Sequence, residues 1–173
     1  MSAPLIAFLD CEYTDPVDID LISIALVTEN GAEFYAERSD YRKEACSEFV
    51  HVAVLPLLDA PASRVLTREQ LAVDLRAWLT ALPGEVAICA DDRTDYELLD
   101  DAVGGDLPAN VTALDQTWDL ALTVTFGEAV ARYHAEPGHP WHHALHDARA
   151  LLAGWKAMQA EAEQQSMIKT PRK

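Results

Sequence analysis

Positive charge is scarce in this sequence: 13 Lys and Arg stand against 29 Asp and Glu, for a net charge of −16 over 173 residues. A broad basic surface that adheres to nucleic acid is therefore excluded, because non-specific phosphate binding is driven by Lys and Arg. Cysteine is equally sparse. Cys11, Cys46 and Cys89 are odd in number and widely spaced, so they form neither a disulfide framework nor a zinc pattern. That usage suits a reducing cytoplasm. No run approaches the ~18 uninterrupted apolar residues of a membrane span. The N-terminus lacks a basic region followed by a long apolar segment, so no signal peptide is expected. Internal repeats and low-complexity tracts are also missing. What remains is a chain that is 50% hydrophobic, enough for one globular core. The expectation is a single domain over residues 1–166, followed by a disordered tail over 167–173.

The N-terminal apolar run Leu5-Ile6-Ala7-Phe8-Leu9 reads as a strand buried on both faces. A second strand is expected over Leu21–Thr28. Asn30-Gly31 is a hairpin signal, and the return strand runs over Ala32–Glu37. A short helix is expected over Glu44–Val54. Thr67 and Gln70 form a capping-box pattern ahead of Leu71, Leu75, Trp78, Leu79 and Leu82, which recur at helical spacing until Pro83-Gly84. Val86–Ala90 reads as a buried strand, Asp95–Val103 as a helix stopped by Gly104-Gly105, and Val111–Leu114 as another strand. Trp118–Leu122 and Phe126–His134 read as helical, and a long helix is expected over His142–Gln164. The sum is a five-stranded mixed α/β sheet, with three antiparallel strands at its N-terminal end and helices on its flanks.

Three constellations carry chemistry. Asp10 and Glu12 follow the first strand two residues apart, so their carboxylates project from one face. Such a pair is costly to bury unless a cation neutralises it, and Mg²⁺ or Mn²⁺ favours oxygen ligands of this type. Asp95 opens a helix shortly after the Val86–Ala90 strand, where the helix N-terminal field favours an anion. Asp91 and Asp92 lie nearer the strand end and compete with it for a metal role. His142-His143-Ala144-Leu145-His146-Asp147-Ala148 is the third. His142 and Asp147 are five apart and do not share a helical face well. If His142 sits just before the helix or in its first turn, it reaches the same site. A histidine there is suited to accept a proton near neutral pH.

In this order, Asp10-x-Glu12, Asp95-x-x-Leu98-Leu99 and His142-x-Ala144-Leu145-x-Asp147-Ala148 resemble the motifs of the DEDDh 3′–5′ exonucleases. That superfamily includes ribonuclease T, oligoribonuclease and the proofreading subunit of bacterial DNA polymerase III. Leu114-Asp115 followed by Trp118-Asp119-Leu120-Ala121 resembles the segment ahead of the third motif. The likeness runs from Leu5 to about Trp155 and is greatest to a small bacterial exoribonuclease branch. In the family the second motif often reads Asn, then Phe-Asp, whereas here it reads Asp92-Arg93-Thr94-Asp95.

The resemblance implies a ribonuclease H-like fold and two Mg²⁺ or Mn²⁺ ions held by Asp10, Glu12, Asp95 and Asp147. It implies His142 as general base and nucleoside 5′-monophosphates as products. RNA 3′ ends are the expected substrate, with single-stranded DNA as the alternative. A short 3′ end bound locally, with cations cancelling the site's charge, is compatible with a strongly acidic protein. Cys11, Tyr13 and His143 are the expected substrate contacts, with Trp118 and Phe34 as weaker candidates for base stacking. Family members of this size often pair as homodimers. Three rival readings stand beside this one. An HD-type phosphohydrolase built on His146-Asp147 needs an all-helical fold. A zinc site from His134, His139, His142 and His146 leaves Asp10 and Glu12 unexplained. An exonuclease-like fold kept as a non-catalytic binding module would retain the fold and lose metal binding.

Overall fold

The computed structural model describes residues 3–113 and 123–169. Strands β1 (Leu5–Tyr13), β2 (Leu21–Thr28) and β3 (Glu33–Arg38) form an antiparallel meander. Gly31, at φ 91°, turns the chain between β2 and β3, a conformation that glycine adopts without a Cβ clash. Strands β5 (Val86–Cys89) and β6 (Val111–Ala113) add to the other edge of β1 in parallel. The sheet has six strands in the order β4-β3-β2-β1-β5-β6, not the expected five. The extra strand, β4 (Val65–Leu66), is a two-residue edge pairing parallel to β3, too short to show any periodicity in sequence.

Helices cover both faces. On one, α2 (Arg68–Ala81) and α3 (Arg93–Ala102) pack Leu71, Leu75, Leu79, Leu98 and Leu99 against Ala7, Leu9, Ile24 and Leu26. The Thr67–Gln70 capping box forms as expected. On the other face, α4 (Val124–His134) and α5 (Ala144–Lys169) bring Phe126, Ala148, Leu151 and Leu152 onto Phe8, Val27 and Cys89. Gly154 lets α5 approach closely, since a Cβ there would stand 2.7 Å from the Phe126 ring. Burying these faces drives folding at roughly 25 cal/mol per Å² of apolar surface.

The helix expected over Glu44–Val54 is split. A 3₁₀ turn occupies Lys43–Ala45, and α1 (Glu48–Ala53) begins after Ser47, whose side chain accepts from the Val50 N–H. The tail expected to begin at Met167 is still helical through Lys169. The readings for Leu114-Asp115 and Trp118–Leu122 lie outside the described residues.

Candidate active site

The pairing of β1 with β5 builds the site. Phe8 pairs with Cys89, and both belong to the face covered by α4 and α5. Two residues further on, Asp10 within β1 and Asp91 in the bend after β5 come together. Glu12 continues the same face of β1. The register slips between Glu12 and Tyr13, a bulge of the kind that re-aims a side chain at a strand end.

Helix α5 supplies Asp147 in its first turn, and Asp147 Oδ2 accepts from the His143 N–H at 2.9 Å. Helix α3 supplies Asp95, only 3% exposed, whose Oδ1 accepts from the Cys11 N–H at 3.2 Å. Asp92 is otherwise engaged. It caps α3, accepting from the Thr94 N–H at 2.7 Å.

The result is two carboxylate groups that share Asp10. Oxygens of Asp10, Glu12 and Asp147 lie within 4.8 Å of one another, and so do those of Asp10, Asp91 and Asp95. Burial pushes the Asp10 carboxyl well above the usual carboxylate range, and repulsion from Asp95, Asp147, Glu12 and Asp91 adds to it. Burial, then Asp147 and Asp95, push Glu12 up to about 8. Burial, then Asp91 and Asp92, push Asp95 up to about 8. Asp147 is pushed up to about 6, mainly by burial. Among the described residues no Lys or Arg lines this cleft of about 370 Å³.

His142 stands just outside α5, at φ 63°, and lines the cleft together with Asp147. It is therefore freed from the helical spacing that would separate it from Asp147. Its ring meets Phe49 edge-on, with centroids 4.9 Å apart. Tyr13 also lines the cleft. Cys11 contributes its backbone N–H, while its side chain joins the core on the far face.

Two expectations for substrate contact are corrected. His143 is buried away from the cleft, with Nε2 3.0 Å from Asp59 and its ring against Tyr35. The left-handed turn at His142 sends the two neighbouring histidines in different directions. Phe34 is core, packed on Trp78. Trp118 lies outside the described residues.

Three cleft residues were missed as site residues. Phe49 and Trp141 are 56% and 50% exposed at the cleft, although large aromatics are usually covered. His134, at the end of α4, stacks on Trp141 with centroids 3.8 Å apart. Its Nδ1 faces the His139 carbonyl at 3.2 Å, and a carbonyl only accepts, so Nδ1 carries the proton. Its Nε2 lies 3.1 Å from Asp147 Oδ1 and makes no hydrogen bond among the described residues; the side chain is 1% exposed. The only sequence signal was its membership of the histidine cluster between His134 and His146.

These residues fit divalent cations. Octahedral coordination at ~2.1 Å places ligand oxygens about 3–4.2 Å apart, close to the spacing of the two groups. Crowded carboxylates with raised pKa values form a donor set that divalent cations would complete.

A six-stranded mixed sheet between helices, with carboxylates gathered where β1 and β5 end, defines the class by architecture. Solved structures share that fold. Exonuclease I of Escherichia coli, in a zinc-bound form complexed with single-stranded DNA, superposes with a TM-score of 0.57 at 14% identity, over 94% of this chain and 42% of that one. Exonuclease I of Methylocaldum szegediense does so with a TM-score of 0.53 at 15% identity, over 91% and 41%. In sequence, the chain is 39% identical over 74 residues to a 3′–5′ exoribonuclease of Mycobacterium tuberculosis, in strains CDC 1551 and H37Rv. That match spans 42% of this chain and 44% of the relative, less than half of either. No protein-family model matches the chain. The resemblance to the 3′–5′ exonuclease superfamily, read from the motifs, is thus borne out in sequence and in fold.

Proposed function

We propose that this chain is a 3′–5′ exoribonuclease that uses two Mg²⁺ or Mn²⁺ ions. The observation that carries the reading is Asp10, shared by two carboxylate groups, with His142 beside them in the same cleft. Asp10, Glu12, Asp95 and Asp147 would hold the cations. Bound there, two divalent ions activate water and stabilise the departing 3′ oxygen.

The chain's own residues account for the rest. His142 takes a proton from the attacking water. The water oxygen adds to phosphorus, the P–O3′ bond breaks, the O3′ of the shortened strand takes up a proton from solvent, and a nucleoside 5′-monophosphate leaves. Tyr13, Phe49 and Trp141 offer ring surface to the terminal base, and stacking of this type is worth about 1–3 kcal/mol per base. The Cys11 N–H fixes Asp95, and the His143 N–H fixes Asp147.

The preference for RNA rests on the exoribonuclease match. A DNA substrate is the second reading, favoured by the fold likeness to an exonuclease I structure that contains single-stranded DNA. The compartment we favour is a reducing one such as the cytoplasm, since no disulfide forms among the described residues. Homodimerisation stands as an expectation from the family resemblance.

A time course on 5′-labelled RNA and DNA oligonucleotides with Mg²⁺, Mn²⁺ or EDTA tests the reading. A metal-dependent ladder shortening from the 3′ end is expected, faster on RNA. A faster DNA ladder favours the second reading. No cleavage in either metal leaves a binding module.

A further inference from the structure

We propose that Asp91 is a fifth carboxylate ligand, closing with Asp10 and Asp95 a cation site distinct from the one formed by Asp10, Glu12 and Asp147. The inference deepens the proposed two-metal reading and rests on it. The family resemblance supplies four acids; the fold of this chain supplies one more.

Strand register makes the assignment. Asp91 stands two residues past Cys89, the parallel partner of Phe8, and Asp10 stands two residues past Phe8. Asp10 lies within β1 and Asp91 in the bend just after β5, and their carboxylates meet beyond the last residues that pair the two strands. Asp95 reaches the same point from the first turn of α3, and one oxygen from each of the three falls within 4.8 Å of the others. Asp92, the rival one residue on, is occupied in capping α3. Asp91 thus joins Asp95 rather than replacing it.

A second observation points to a missing partner in the same cleft. Among the described residues the buried Nε2 of His134 makes no hydrogen bond, although Asp147 Oδ1 lies 3.1 Å away. Charge sets how much is missing. One divalent ion leaves three uncompensated charges on the five carboxylates, and two ions leave one. The fifth acid strengthens the hold on the second ion, which a bare Asp10–Asp95 pair would keep loosely.

Free Mn²⁺ is followed by electron paramagnetic resonance during titration of the full chain at pH 8, in wild type, Asp91→Ala, Asp91→Asn, Asp147→Asn and Asp92→Asn. Wild type is expected to bind two ions. Asp91→Ala is expected to weaken one of them by about tenfold or more, and Asp91→Asn by less, because the amide keeps a carbonyl oxygen. Asp147→Asn is expected to weaken the other ion. Asp92→Asn is expected to leave both sites unchanged, since Asn caps a helix as well as Asp. If wild type binds two ions and Asp91→Ala binds both equally tightly, the inference alone is overturned. If wild type binds no Mn²⁺, the two-metal reading falls with it.

Discussion

Two clefts flank the loop between β1 and β2 and the start of α3, and they handle charge in opposite ways. One holds Asp10, Glu12, Asp91, Asp95 and Asp147, and among the described residues no Lys or Arg lines it. The other, of about 570 Å³, is lined by Arg38, Arg42 and Arg68. There every guanidinium has its own acid. Arg38 lies 2.6 Å from Asp40 and 3.7 Å from Asp20, Arg42 lies 2.7 Å from Asp18, and Arg68 pairs with Asp101. The arginine cleft has a partner for every cation and is structure. The acid cleft has no cation of its own among the described residues and is the candidate site. The comparison teaches that the balance of partners around a charge, more than its density, separates scaffold from chemistry.

Removing an acid from the first cleft should have the largest effect. Asp10→Asn or Asp147→Asn is expected to slow turnover about a thousandfold or more, about 4 kcal/mol of transition-state stabilisation. The same variants should melt at a higher temperature than wild type in EDTA, because a repelling charge is gone. Near-wild-type turnover would sink the site, and a lower melting temperature in EDTA would sink the account of its charge. His142→Ala should slow turnover by about 10²–10³-fold. Its Mn²⁺ affinity should stay unchanged, and a large loss there would make His142 a ligand.

The arginine cleft should respond in stability alone. Arg38 is 6% exposed, and Arg38→Ala leaves Asp20 to Arg42 and leaves Asp40 with the Arg68 N–H but no cation. Breaking a buried pair costs ~3–5 kcal/mol, and about 2–3 is expected here because both acids reach solvent. A urea titration reads the loss, while turnover per folded molecule should hold.

The two clefts should also tilt stability oppositely with pH. Glu12 and Asp95 titrate near 8, and Asp147 near 6, when folded without metal, all above their unfolded values. The folded state then holds more protons between about pH 4 and 8, so metal-free stability falls as pH rises through that window. Asp40 behaves in reverse. Its burial raises its pKa, but the Arg38 hydrogen bond and the Arg68 N–H outweigh that, and the net shift is downward. Its contribution is present above the unfolded value of 3.8 and is lost as pH falls. Melting curves of Glu12→Gln and wild type in EDTA should converge at pH 5 and separate by pH 8. Parallel curves would overturn the assignment. Arg42→Ala, at an exposed pair, should shift melting least of all.

Much of this was legible in the chain. Asp10 and Glu12 follow from a period of two at the end of an apolar strand, and the Asn30-Gly31 hairpin and the capping box at Thr67 are local chemistry. Asp91 was legible only as a competitor for Asp95, because its membership depends on the β1–β5 register, which no local pattern encodes. Phe49, Trp141 and His134 reach the cleft through long-range packing. His143 was placed in the cleft because nothing in the sequence shows the direction of a single backbone turn.

That turn at His142 has an evolutionary reading. A non-glycine residue held at φ 63° costs on the order of 1 kcal/mol or more. Folding alone favours Gly or Asn at position 142, and the proposed role as base is the stronger reason for His. A library of substitutions at this position should rank one way when scored by abundance and another when scored by cleavage. In a lineage without the proposed activity, position 142 would be among the first to drift.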